Sequence, residues 1–433
     1  MADESPNKWG TWRERYDKSH RRYVVFTGSL FLQFLVIGMP SSMLGIVYVD
    51  IMREFRAGAS ETALMLSLYR GLSFGGSIVG NHLMRWAGEF PCMMVGSLVG
   101  SFSFITAAFA QNVTTIVLFV GLGAGCGFMI PLLLAYSNIG RAFTGKPASK
   151  FLTLTAVGGG VGLIVTPYIT EFLLREYGWR GTFLIFGGIF LHLLLIGVVV
   201  QLNLPPSENL KKSTVFQWRK QIAIFKCRAY SVFAFDMILF GMFGFAEPWF
   251  LPDFLVSNKY DQQDAAFLLT VIGVFSLVGR ILAGVLEPLL SRTKLVYHWI
   301  YVFALMGISH AAFPCFIHLF PVLIGASVIY GITFGMVVSQ SAPVVFQSLP
   351  LELYPTGLAT EFTIYGGFTA LGGYVGGMVR DVTGGYEAVF YVASLTAMIV
   401  AASCGVLLCM DKLCSRKVKT DVHIPSVSVI SHL

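Results

Sequence analysis

Phe267-Leu-Leu-Thr-Val-Ile-Gly-Val-Phe-Ser-Leu-Val-Gly-Arg280-Ile-Leu-Ala-Gly-Val-Leu286 is an apolar run of twenty residues with a single charge. As a helix, about 20 apolar residues reach across the hydrocarbon of a bilayer. A guanidinium stays protonated at any accessible pH, so Arg280 cannot escape burial by neutralising. Held at membrane depth it costs at least a few kcal/mol and normally faces a watery cavity or a partner. The run therefore asks for a bundle of membrane helices, and it makes Arg280 the first candidate to hold an anionic substrate.

The composition supplies the bundle. The chain of 433 residues is 55% hydrophobic and only 12% charged, with a mean hydropathy of +0.71, 46 Gly and 37 Phe. Soluble domains carry about 25% charged residues, so a polytopic membrane protein is expected and a soluble multidomain enzyme is excluded. Twelve spans are expected at 23–51, 63–84, 92–110, 113–137, 150–173, 181–202, 230–256, 264–289, 295–317, 320–346, 356–380 and 387–410. The polar stretch 203–229 divides them into six-helix bundles at 23–202 and 230–410, with a segment at 1–22 and a tail at 411–433. With the N-terminus inside, 22 Lys and Arg fall on inner segments and 6 on outer ones. That bias puts both termini in the cytosol, with the plasma membrane as the expected location. The net charge of +7 then reflects topology and not nucleic acid. The polar start to Arg22 carries no cleavable signal.

The halves are related to each other. Gly178-Trp-Arg-Gly-Thr-Phe183 and Gly385-Tyr-Glu-Ala-Val-Phe390 share a pattern at an offset of 207, and Gly159-Gly160 matches Gly366-Gly367 at the same offset. Both motifs lie between the fifth and sixth spans of a half. This six-plus-six duplication characterises the all-α major facilitator architecture, which binds substrate between the halves. The glycine runs 121–127, 158–162 and 372–377 are expected to let helices approach closely. No strand precedes them, so they are not nucleotide loops.

Several stretches resemble the monocarboxylate transporter family. Gly45-Ile-Val-Tyr-Val-Asp-Ile-Met-Arg-Glu-Phe55 is similar to its first helix, and Tyr177-Gly-Trp-Arg-Gly-Thr-Phe183 to its outer 5–6 connection. Leu371-Gly-Gly-Tyr-Val-Gly-Gly-Met-Val-Arg-Asp381-Val-Thr-Gly-Gly-Tyr386 resembles the signature after helix 11. Val278-Gly-Arg280-Ile-Leu-Ala-Gly284 resembles the helix 8 segment with the substrate-associated arginine, which implies that Arg280 binds a carboxylate. The departures weaken lactate preference and proton coupling. Ser276 stands where many proton-coupled members have an aspartate, and Leu44 near the helix 1 lysine of lactate carriers. Gly145-Lys146-Pro147 replaces an Arg-Arg pair, and Met84 a loop aspartate.

Four further charges lie within spans: Arg70, Asp236, Glu247 and Glu361. Asp236 matches Arg280 in depth and Glu361 is somewhat shallower, whereas Arg70 and Glu247 fall in the outer half. We therefore expect an inner group of Arg280 with Asp236 or Glu361 and an outer pair of Arg70 with Glu247, since opposite charges at one depth reduce their desolvation cost. The acids are candidates for proton coupling, and static salt bridges are the alternative. Glu361 could instead snorkel to the inner interface. Asp253 and Glu287 read as interfacial, and His192 and His310 as packed or lipid-facing residues of peripheral helices. The breaks at Glu247-Pro248 and Ala342-Pro343 suit cavity-lining gates.

No His, Asp or Cys cluster suggests a metal or catalysis, so neither a cofactor nor an enzyme is expected. The seven cysteines read as free thiols, with palmitoylation open at Cys409 and Cys414. The sequon at Asn112 sits in a turn too tight for easy glycosylation. The expected partners are a small organic anion, a proton and the bilayer. An ancillary membrane subunit, or a scaffold domain reading the C-terminal Ser-His-Leu, is open. The expected function is carriage of a small monocarboxylate by alternating access with proton symport. An uncoupled facilitator of a larger, neutral or zwitterionic solute is the alternative, ahead of a channel or membrane enzyme.

Overall fold

The computed structural model describes residues 20–57, 59–205, 218–290, 292–383 and 385–421. Most of the expected N-terminal segment, the core of the connection between the halves and the Ser-His-Leu end lie outside these residues, and so does the side chain of Cys414. The described residues form twelve long helices. They are α1 (Arg21–Phe55), α2 (59–87), α3 (Glu89–Ala107), α4 (Val113–Ala142), α5 (145–177) and α6 (179–203). The second set is α7 (Arg228–Ser257), α8 (Gln262–Leu286), α9 (Arg292–Cys315), α10 (Phe320–Ser348), α11 (Tyr354–Thr383) and α12 (Glu387–Asp421). Successive crossings reverse direction, so the start of α1 and the end of α12 share one face of the bundle, called here the terminal face.

Local chemistry explains where the helices bend. Gly178 separates α5 from α6 at φ 64°, ψ 179°, a conformation essentially restricted to glycine. In α1 the turn Phe34–Gly38 widens to π geometry, which brings Gly38 against the backbone of Gly162 on α5. The hydroxyl of Tyr69 on α2 donates to the carbonyl of Val36 in that turn at 2.5 Å. In α7 the helix breaks at Gly244–Phe245, where Pro248 has no N–H for the Gly244 carbonyl. Tyr330 of α10 supplies the missing donor, its hydroxyl 2.6 Å from that oxygen. Asn112 caps α4, its side chain accepting from the Thr115 amide at 2.8 Å.

The sequence repeat has a structural counterpart. Trp179 donates its indole N–H to Glu54 on α1, and Tyr386 donates its hydroxyl to Asp253 on α7 at 3.1 Å. Each repeat aromatic thus ties the last connection of its half to a carboxylate on that half's first helix. Arg180 strengthens the first tie with bonds to Glu54 (2.9 Å) and to the carbonyl of Ala110 (2.8 Å). The glycine runs also pack closely, Gly127 on α3, Gly158 on α1 and Gly372 on α7.

The first six helices pack among themselves, as do the second six. They meet where α5 lies against α8 and α10, and where α2 lies against α11. Hydrogen bonds across this seam gather toward the terminal face. Gln347 donates to Ser149 (3.1 Å), Arg85 to Thr356 (2.8 Å), and the Ile78 amide to Thr363 (3.0 Å). On the opposite side, the positions facing Gly45, Gly273 and Gly373 open onto empty space. The expected outcome of Gly178→Ala is a loss of about 1–3 kcal/mol from backbone strain at the α5–α6 joint. It is read as a lower thermal midpoint of the detergent-solubilised protein.

Candidate substrate site at the seam

Arg280 sits on α8 where that helix crosses α5, and it is 4% exposed. Its Nη1 donates to the carbonyl of Ala156 on α5 at 3.0 Å, which bridges the two halves. Its Nε is buried without a partner. The side chain fits because α5 carries Gly160 beneath it; a Cβ there would lie 2.9 Å from the Arg280 Cδ. Tyr136 of α4 and Tyr365 of α11 lie within electrostatic range of the guanidinium. Ser276, one turn earlier, is buried with its hydroxyl unpartnered. Among the described residues no carboxylate lies within ion-pairing distance of Arg280.

The expected partners of Arg280 lie elsewhere. Asp236 is buried inside the second half and accepts from Ser403 (2.6 Å) and Cys404 (3.4 Å), both on α12. It matches Arg280 in depth but points away from the seam. Glu361 does face the seam, yet among the described residues it forms no ion pair. It reaches Arg280 only through Tyr136 and Tyr365, which neighbour both charges. At 1% exposure Glu361 does not snorkel, and its Oε2 has no partner.

The expected Arg70–Glu247 pair is likewise not formed. After the break in α7, Glu247 turns into the second half, where its Oε1 lies 2.6 Å from the Nδ1 of His310 on α9. Both side chains are fully buried, and Tyr330 packs against the imidazole. His310 is therefore an interior residue of the second half and not a lipid-facing one. Arg70 instead extends across the seam, its guanidinium 5.9 Å from the centre of the Phe245 ring. Glu287, read as interfacial, is buried and accepts from Gln347 at 2.8 Å.

Comparison with known proteins identifies the superfamily. The family model described as Major Facilitator Superfamily matches residues 30–360. The chain belongs to the major facilitator superfamily. Mouse monocarboxylate transporter 6 is 28% identical over 401 residues, covering 86% of this chain and 83% of the relative. Rat monocarboxylate transporter 13 is 28% identical over 395 residues, covering 89% and 88%. Both relatives are named as monocarboxylate transporters, and the superfamily to which this chain belongs is one of carriers and not of enzymes. The crystal structure of the Escherichia coli fucose:proton symporter in the outward conformation aligns at TM-score 0.71 with 14% identity, covering 89% of this chain and 99% of that one.

Sequence reasoning missed Tyr136, Tyr365 and the Ser149–Gln347–Glu287 bridge. Tyrosine passes for an apolar residue in a span. A signal for the bridge was present, because Gln340 and Gln347 stand seven residues apart and so share one face of an otherwise apolar helix. The Glu247–His310 contact makes a sharp prediction. Replacing His310 with Leu leaves a buried carboxylate alone and costs about 3–5 kcal/mol. Adding Glu247→Met recovers most of that loss in thermal unfolding.

Proposed function

We propose that this carrier moves a small organic anion, a monocarboxylate or a related carboxylate, by alternating access, and that Arg280 takes the carboxylate. One observation carries this reading: a permanent cation is buried at the seam with an unpartnered N–H and, among the described residues, no carboxylate within ion-pairing distance. A carboxylate can accept two parallel bonds from such a fork. Bonds across the seam toward the terminal face, with open space on the other side, support a form that admits substrate from the opposite face. The excess of inner Lys and Arg supports a cytosolic terminal face and a plasma-membrane location.

Glu361 is the first candidate for proton coupling. It is a buried acid at the seam with an unpartnered oxygen, whereas Asp236 and Glu247 are engaged inside their own half. The same position favours a second reading, uncoupled carriage of a zwitterion, because an acid at the seam can pair with an ammonium. The test is uptake of labelled carboxylates and neutral solutes into proteoliposomes, with and without an inward proton gradient. Arg280→Gln is expected to abolish carboxylate uptake, and preserved uptake would refute the assigned role. Stimulation by the gradient that disappears in Glu361→Gln supports symport. Uptake indifferent to the gradient rejects it.

A further inference from the structure

We infer that the site is built for an organic dianion, one anionic group held at Arg280 and the second at Arg70. This rests on the reading of Arg280 as a carboxylate anchor and extends it to the other half of the molecule. Arg70 belongs to α2, yet its guanidinium lies over Phe245 of α7 and within electrostatic range of Tyr365 of α11. Both rings belong to the second half, so the side chain points into the seam. Tyr365 is also the neighbour of Arg280, and its ring lies 6.1 Å from Phe245. The two guanidiniums thus flank one aromatic wall from opposite halves.

The register of α2 on α11 sets their relation in depth. Gly71 faces Ala370, and Gly75 faces Gly366 and Gly367, so Tyr365 lies more than a turn deeper than Arg70. Arg280 reaches that wall from α8. A short molecule lying along Tyr365 could therefore meet a cation at each end. The backbone around Arg70 is fixed by the preceding residue, since Tyr69 is bonded to the π turn of α1.

Charge decides the class of ligand. Neither arginine has a carboxylate within ion-pairing distance among the described residues. The acids that could have neutralised them, Asp236 and Glu247, are turned into the second half. Among the described residues Glu361 lies at this central part of the seam and pairs with neither arginine, while Glu287 lies at the terminal-face end of the seam and accepts from Gln347. Around Tyr365 two guanidiniums face one acid, Glu361, which leaves this part of the seam positive even when that acid is ionised. A monocarboxylate would satisfy one guanidinium and leave the other to desolvate alone as the seam closes. A dianion satisfies both.

The experiment is competitive uptake at pH 7.5 of succinate, butyrate and 4-aminobutyrate, probes of one chain length, by the full-length protein in proteoliposomes. The expected KM for succinate is at least tenfold below that for butyrate. Arg70→Gln is expected to collapse that preference tenfold or more, and Arg70→Lys to retain most of it. Arg280→Gln is expected to lose both acids. Equal or better handling of butyrate by the wild type would overturn the proposal while leaving the Arg280 reading intact, as would an unchanged KM ratio in Arg70→Gln. A preference for 4-aminobutyrate would overturn it in favour of an ammonium at Glu361. Acid uptake that survives Arg280→Gln would sink the underlying reading instead.

Discussion

The bond from Arg280 to the Ala156 carbonyl joins the halves where the guanidinium is buried. The guanidinium cannot neutralise, and a buried N–H without a partner costs on the order of 1–3 kcal/mol. One carbonyl satisfies one nitrogen, which leaves Nε over. The neighbouring sequence is arranged around this side chain. Gly160 is bare so that the arginine can lie across α5, and Gly335 of α10 lets α8 approach closely beside it. A substrate carboxylate would compete with Ala156 for the same donors. Binding would then weaken a bond that holds the seam shut, which is the differential interaction a carrier needs for its ligand to shift its conformation.

The other charges divide according to whether they face the seam. Asp236 and Glu247 lie inside the second half, and each has a donor or a histidine from its own half. Removing Ser403 or His310 would leave a buried carboxyl group without its neighbour, so these contacts are static supports of the packing. Arg70, Arg280 and Glu361 face the seam and carry no ion pair among the described residues. A rigid half and an unsatisfied interface are complementary. The cost of burial is met within each body, and the remaining demand for partners is concentrated where the bodies separate.

The spans, their number and the duplication were legible because the bilayer imposes length, and because glycine and proline punctuate the chain. The repeat motif even located the aromatic–carboxylate ties at Trp179 and Tyr386, although the carboxylates themselves were not foreseen. The pairing of charges was not legible. Depth follows from counting residues, but the direction of a side chain follows from azimuth, which turns about 100° per residue. Asp236 and Glu361 both lie in the inner half of their helices, yet Asp236 turns to α12 and Glu361 to the seam. For Glu247 the break at Gly244–Phe245 adds a further rotation that no periodic pattern predicts.

Two departures from the resemblance act in the same direction. Ser276 stands one turn before Arg280 where an acid would have offset it, and its buried hydroxyl has no partner. Leu44, near the place of a helix 1 lysine, is fully buried in the apolar core and offers no charge. The second cation comes instead from α2 as Arg70, on the far side of Tyr365. The missing acid raises the uncompensated positive charge at the seam, and a base on α2 in place of one on α1 keeps it from falling again. A site adjusted only to keep its balance would have lost the base along with the acid. Retaining both arginines without the acid makes sense when the missing negative charge arrives with the substrate.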